Sequence, residues 1–189
     1  MPVNRALIKK ILDGDTAAFR LIIQKNQRLV WHIVFRMVPN QIDREDLCQD
    51  IFIKVYESLG KFKYECKFST WIGKVAYNTC LNHVKKKKVT LFDDVVSDSQ
   101  TLDAHYCSAD SPEEFTQEQD LSERLHEEIR KLPRQFATIV TLYHIEQMSY
   151  AEIGGIMRLP DGTVKSYLFR ARQLLKERLM TRYQLEEIL

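Results

Sequence analysis

SYAEIGGIMRLPDGTVKSYLFRARQLLKERL, residues Ser149 to Leu179, holds two helical patterns separated by a break at Leu159 to Asp161. The first is short; the second is longer, and Asp161 is placed to cap it. This is the spacing of a helix-turn-helix, or of an ordinary αα-hairpin within a bundle. Gly154 falls where the second helix must cross the first, and lacking a side chain it permits close approach, while Ile153, Ile156, Met157 and Val164 supply apolar contacts. At about 100° per residue, Val164, Leu168, Ala171 and Leu175 form one narrow stripe that must face a core.

Phe169 lies well away from that stripe. It shares an outward sector with Lys165 and Arg172, and Ser166, Arg170 and Gln173 lie beside them. Such a face suits a DNA major groove: lysine and arginine reach guanine edges or phosphates, serine donates to either, and a ring can lie against a thymine methyl or a deoxyribose. The alternative is that Phe169 packs on another helix of its own chain.

Working outward, apolar residues recur at three- and four-residue spacing in Ala6–Leu12, Thr16–Val38, Asp43–Leu59, Trp71–Val84, Pro112–Leu132, Gln135–Ile145, Ala151–Met157 and Gly162–Leu179. The chain contains only six glycines, which leaves those periods uninterrupted, and the fold class expected is all-α. Asp15, Asp43 with Glu45 and Asp46, Ser69/Thr70, and Ser111 before Pro112 mark the expected helix starts. Val89 to Ser111 is rich in Ser, Asp and Thr without a sustained helical period and reads as a linker. It divides the chain into small helical domains at 1–88 and 112–189.

The net charge of +2 conceals three unlike parts. Met1–Lys88 carries 17 basic and 8 acidic residues, Val89–Glu128 carries 1 and 12, and Ile129–Leu189 carries 10 and 6. Two basic modules flanking an acidic bridge could grip one polyanion at two places, since each phosphate contact releases counterions; or they are solvated domains with unevenly spread lysines. The four cysteines, Cys48, Cys66, Cys80 and Cys107, form neither a CxxC pair nor a zinc pattern, so no metal or other cofactor is expected and a reduced, cytoplasmic setting is the simplest account. No apolar run reaches the length of a membrane helix. The five histidines are dispersed, without a nucleophile, a paired carboxylate or a glycine-rich phosphate loop, so no enzymatic activity and no small-molecule substrate are expected.

In the first module, DREDLCQDIFIKVYESL places Leu47, Cys48, Ile51, Phe52, Val55 and Leu59 on one broad face, leaving Gln49, Asp50, Ile53, Lys54 and Glu57 outside it. An isoleucine within that polar face invites a partner helix. The next segment, GKFKYECKFSTW, interleaves Phe62, Tyr64, Phe68 and Trp71 with Lys61, Lys63 and Lys67. Rings that stack on extruded bases beside lysines that hold the backbone make a single-strand platform. Phe68 and Trp71 adjoin the apolar side of the following helix and read as core, whereas Tyr64, Glu65, Cys66 and Lys67 read as the exposed loop. That helix presents Lys74, Asn78, Asn82 and Lys85 away from its Ile72, Val75, Ala76 stripe and ends in four lysines, which also favour its dipole.

These residues resemble the extracytoplasmic-function sigma factors of the sigma-70 family. Ser149–Arg172 is similar to the family pattern SYxEIAxxxxxPxGTVKSRxxRAR, and Asp43–Tyr56 to DxxDLxQExFxxxY; the loop resembles FxGxSxFxTW and the helix after it WLxRIAxNxxxDxxR. The departures are Gly154–Gly155, Tyr64 for the usual glycine, Cys66 for serine, Asn82 for aspartate and Tyr167 for arginine. The resemblance implies a two-domain initiation factor that binds core RNA polymerase and promoter DNA, with an anti-sigma partner, soluble or membrane-bound, expected from the family. Polymerase binding then falls to Asp46, Gln49, Asp50, Ile53 and Tyr56. Reading and opening of the minus-ten element falls to Tyr64, Glu65, Cys66, Lys67, Lys74, Asn78, Asn82 and Lys85. Contact with the minus-thirty-five element falls to Thr163, Lys165, Ser166, Tyr167, Phe169, Arg170 and Arg172. A stand-alone helix-turn-helix regulator, which would bind duplex DNA without polymerase, is the rival reading and has no use for Gln49 and Asp50.

Overall fold

The computed structural model describes residues 5–93 and 117–182. Every regular element among the described residues is helical, and they belong to two compact units, each with its own core.

The first unit begins with α1 (Arg5–Leu12) and α2 (Thr16–Met37). Between them Gly14 adopts φ 103°, a left-handed conformation that glycine reaches without a Cβ penalty. Its amide donates to Ile11 O and that of Asp15 to Lys10 O, closing α1 with a Schellman-type cap. Asp15 then opens α2, its carboxylate accepting from the Ala18 amide at 3.0 Å as anticipated.

α3 (Gln41–Ser58) starts two residues before the expected Asp43, because Asn40 takes the cap and accepts from the Ile42 amide at 3.1 Å. A short 3-10 turn, Leu59–Lys61, leads to the loop and then α4 (Phe68–Asp93). α4 starts ahead of the expected Ser69/Thr70, since the Trp71 amide already donates to Lys67 O. It also continues beyond the expected end at Val84 and past position 88; lysine is a good helix former and is favoured near a helix C-terminus.

α2, α3 and α4 pack mutually, with α1 laid against α2 and the 3-10 turn. Ile8 and Ile11 of α1, Ile22 and Val30 of α2, Leu47, Ile51 and Val55 of α3, and Ile72, Ala76 and Cys80 of α4 are all buried. Each large side chain removed from water contributes roughly 1.5–3 kcal/mol, so it is this shared interior that holds the four helices. His83 Nε2 meets Asp43 Oδ2 at 3.2 Å and fixes the register of α4 against α3.

The second unit contains α5 (Gln117–Arg130), α6 (Arg134–Val140), the start of α7 (Tyr150–Met157) as far as Ile153, and α8 (Asp161–Arg182), while Gly154–Arg158 groups with the first unit. The expected start of α5 at Ser111–Pro112 and the greater part of the expected linker lie outside the described residues. The continuous helix anticipated over Gln135–Ile145 is instead α6 followed by a wider turn at Thr141–Ile145, closed by Glu146 N donating to Thr141 O. α5, α6 and α8 pack together around Ile129, Leu132, Val140, Leu142 and Leu168. The stripe on α8 is as expected for Val164, Leu168 and Ala171, all buried, while Leu175 is half-buried. Asp161 is the first residue of α8 rather than its cap; the amides of Thr163 and Val164 donate to Pro160 O.

Candidate nucleic-acid and polymerase interfaces

Asp46, Gln49, Asp50, Ile53 and Tyr56 all lie exposed on the outer side of α3, opposite the buried Leu47, Ile51 and Val55. Cys48 and Phe52 sit half-buried at the edge of the inner face. Ile53 is 55% exposed amid acidic and amide neighbours, an apolar centre with a polar rim. Tyr56 is held at one side by Phe19, edge to face with ring centroids 5.0 Å apart.

In the loop, Phe62 and Phe68 are buried and meet at 5.1 Å, with Trp71 half-buried at 5.4 Å from Phe62 and 5.5 Å from Phe68. Phe68 is therefore core, as expected, and Trp71 partly so. This ring cluster is a rigid base from which Tyr64, Glu65, Cys66 and Lys67 project, all exposed. Tyr64 has φ 61°, the left-handed region that glycine enters freely and a tyrosine only at a cost of about 1–2 kcal/mol. Its ring lies 4.6 Å from that of Phe62, and the Arg5 guanidinium sits 4.8 Å above it. These contacts help to offset the strain.

On α4, Lys74, Asn82 and Lys85 are exposed and Asn78 is half-buried, its amide donating to Lys74 O at 2.8 Å. The buried thiol of Cys80 is pushed up to about 12, chiefly by burial and then by nearby Cys48, and so stays protonated as a packing group.

On α8, Lys165, Ser166, Phe169, Arg170 and Arg172 are exposed, Phe169 at 62%. Among the described residues Phe169 is thus no part of a core, which weighs against the packing alternative. Thr163 and Tyr167 are half-buried, the Tyr167 ring standing edge-on to Phe136 of α6 at 5.5 Å. Ser166 Oγ donates to Thr163 O at 3.0 Å. α7 enters through a capping box: Ser149 Oγ and its amide donate to Glu152 Oε2 at 2.8 and 2.9 Å, and the Glu152 amide donates back to Ser149 Oγ.

His144 is one of the histidines dispersed along the sequence, and the structure gives it a partner. Arg172 Nε donates to His144 Nε2 at 3.2 Å, its NH2 lies 3.1 Å from the same atom, and its guanidinium is 5.3 Å from the Tyr143 ring centre. Tyr143 in turn stacks on Tyr150 at 5.3 Å. Burial and the Arg172 charge hold the His144 imidazolium form below its ordinary range. No local pattern announces a pair 28 residues apart.

An acidic-rimmed apolar face, an aromatic and basic loop, and a separate helix-turn-helix with an exposed cationic face together define a two-unit DNA-binding protein built to hold a protein partner as well. Comparison with known proteins carries the assignment further: the sigma-70 region 2 model matches residues 22–90 and the sigma-70 region 4 model residues 122–175. The RNA polymerase sigma-H factor of Pseudomonas aeruginosa is 31% identical over 180 residues, covering 93% of each chain. The ECF RNA polymerase sigma factor SigW of Bacillus subtilis is 32% identical over 176 residues, covering 91% of this chain and 94% of that one. The chain belongs to the extracytoplasmic-function sigma factors of the sigma-70 family, non-enzymatic initiation factors that bind core RNA polymerase and direct promoter-specific transcription.

Solved structures share the fold. CnrH in complex with the cytosolic domain of CnrY superimposes with a TM-score of 0.65 at 17% identity, covering 95% of this chain and 98% of that one. The sigma factor RpoE in complex with the anti-sigma factor NepR from Bartonella quintana gives 0.63 at 21% identity, covering 87% and 98%. Among the described residues no helix is long and apolar enough to cross a membrane.

Proposed function

We propose that the three faces divide the work of initiation. The outer side of α3, with Asp46, Gln49, Asp50, Ile53 and Tyr56, docks on core polymerase. Tyr64, Glu65, Cys66 and Lys67, with Lys74, Asn78, Asn82 and Lys85 of α4, open and read the minus-ten element. The α8 face of Thr163, Lys165, Ser166, Tyr167, Phe169, Arg170 and Arg172 anchors the upstream minus-thirty-five duplex. The domains are 1–88 and 112–189 with the acidic 89–111 segment between them, the last residues of α4 extending into the start of that segment.

The observation that carries this reading is the exposure of Phe169 beside Lys165 and Arg170 on a helix whose opposite side buries Val164, Leu168 and Ala171. An exposed ring among cations fits DNA, where phosphates, base edges and thymine methyls lie within a few ångströms of one another. Tyr64 supports the loop assignment in the same way: its ring is lifted from a buried aromatic base, and stacking an extruded base on such a ring contributes about 1–3 kcal/mol.

The protein acts in the cytoplasm, where polymerase and promoter are found. An anti-sigma factor, soluble or membrane-bound, is its regulatory partner; CnrH and the Bartonella RpoE were both solved with proteins bound to them.

The test is transcription in vitro with purified core polymerase, mapping start sites across a bacterial genome with and without the protein. Promoter-specific starts are expected. The double variant Gln49→Arg, Asp50→Lys should lose polymerase binding while keeping duplex binding. Unchanged polymerase binding by that variant would remove α3 as the docking face and favour a stand-alone regulator.

A further inference from the structure

We propose that His144 is a positioning residue for promoter binding: its neutral imidazole holds the Arg172 guanidinium on the outer face of α8, where a phosphate of the duplex is met. The inference rests on the reading that α8 anchors upstream DNA.

Arginine has only donors, so a hydrogen bond from Arg172 Nε requires an acceptor at His144 Nε2. That atom accepts only in the neutral tautomer that carries its proton on Nδ1. The histidine is itself held: the Gln147 side-chain amide donates to its backbone carbonyl at 2.6 Å, and Gln147 occupies a left-handed conformation with φ 53° that closes this turn. The Tyr143 ring meets the imidazole edge-on at 4.9 Å. The charged group acting on His144 is Arg172 of α8. On its own turn lie the Tyr143 phenol and Glu146, and from α7 the Tyr150 phenol stacks on Tyr143.

Arg172 is exposed and belongs to the same outward sector as Lys165 and Phe169. A long exposed arginine samples many rotamers, and ordering it at the moment of binding costs free energy. A bond to His144 and the nearby Tyr143 ring settle part of that ordering beforehand, and the guanidinium retains further donors for a phosphate.

Protonation of His144 removes the acceptor and places a second cation beside Arg172. Two effects then oppose each other. The added charge attracts DNA of any sequence, whereas loss of the acceptor frees Arg172. Positioning therefore predicts that specific binding weakens as pH falls through the His144 range, below the ordinary histidine value, while charge alone predicts tightening at every sequence.

The experiment uses holoenzyme reconstituted from core polymerase and the full chain. The probe is a duplex carrying an upstream element found by start-site mapping, with a control duplex scrambled in that element. His144→Phe should weaken specific binding about five- to tenfold at neutral pH and reduce the salt slope by about 1. His144→Gln keeps a neutral acceptor and should bind as the wild type does, with the low-pH loss abolished. In an Arg172→Gln background His144→Phe should have no further effect, an interaction that a general packing role would not produce.

Equal affinity of the wild type and His144→Phe, or additive losses in the double variant, would overturn the positioning role and leave the family function intact. Failure of wild-type holoenzyme to prefer the specific duplex would overturn the α8 reading and the positioning role together.

Discussion

Glu128 and Arg182 stand 54 residues apart in the chain, yet Arg182 NH1 donates to Glu128 Oε1 at 2.6 Å and ties the end of α5 to the end of α8. Lys131 Nζ reaches the same oxygen at 2.8 Å, and the Glu128 side chain is only 3% exposed. Burial alone would raise its pKa, but the two hydrogen bonds and the charges of Lys131 and Arg182 outweigh it and hold the carboxyl below the ordinary glutamate range. A carboxylate depressed in the folded state contributes stability that is present in full above its unfolded pKa and is lost as pH falls through the folded value. Glu128→Gln should therefore destabilise the second unit by about 1–3 kcal/mol at pH 7. Hydrogen exchange of α5 and α8 amides measures this, and the difference from wild type should shrink below pH 4–5, roughly where free glutamate protonates.

Tyr64 combines an unfavourable backbone with a useful ring, and substitution separates the two. Tyr64→Gly relieves the left-handed strain while losing the contacts to Phe62 and Arg5, so thermal stability should stay within about 1 kcal/mol of wild type. Tyr64→Ala keeps the strain and loses the ring, and should be the less stable of the two. Both should impair promoter opening, read by permanganate reactivity of unpaired thymines, more than closed-complex formation. Equal loss at both stages would make Tyr64 a packing residue.

Phe169 is 62% exposed, so Phe169→Ala removes little from the folded core and should shift stability by under about 0.5 kcal/mol. Recognition of the upstream element should weaken by about tenfold, with little effect on a scrambled duplex. A competition assay between the two duplexes gives the ratio directly.

The capping box at the start of α7 makes a local prediction. Ser149→Ala leaves the Glu152 amide without its side-chain acceptor and removes the hydroxyl donor to Glu152 Oε2, which should cost about 1 kcal/mol. Ser149→Asp keeps an acceptor for the Glu152 amide but faces the Glu152 carboxylate, so it should recover only part of the loss. Chemical denaturation at pH 7 distinguishes the three proteins.

Ile53 lies among polar neighbours at 55% exposure and contributes little to its own fold. Ile53→Asp should leave the melting temperature unchanged within about 2 °C while lowering affinity for core polymerase at least tenfold. A titration of labelled protein with core enzyme reads the effect.

Helical periodicity is a local property, and what rests on it was legible from the order of residues alone. Val164, Leu168 and Ala171 fall on one stripe because each residue advances the helix by about 100°, and the same arithmetic puts Phe169 and Lys165 outside and separates Ile53 from Ile51. The all-helical class, the helix-turn-helix and the exposed side of α3 follow from such counting. Caps competed within a few residues, which is why Asn40 rather than Asp43 opens α3.

Tertiary structure decided what lies beyond a turn or two of helix. The left-handed Tyr64 is held where a ring cluster and Arg5 converge on it, and neither can be inferred from its immediate neighbours. Tyr167 leans on Phe136 because α6 packs against α8, and His144 meets Arg172 because the turn after α6 returns beside that helix. A side chain's outward direction is set by its own backbone, but its partner is set by how separate helices bury their apolar stripes together, and no short window of sequence contains that.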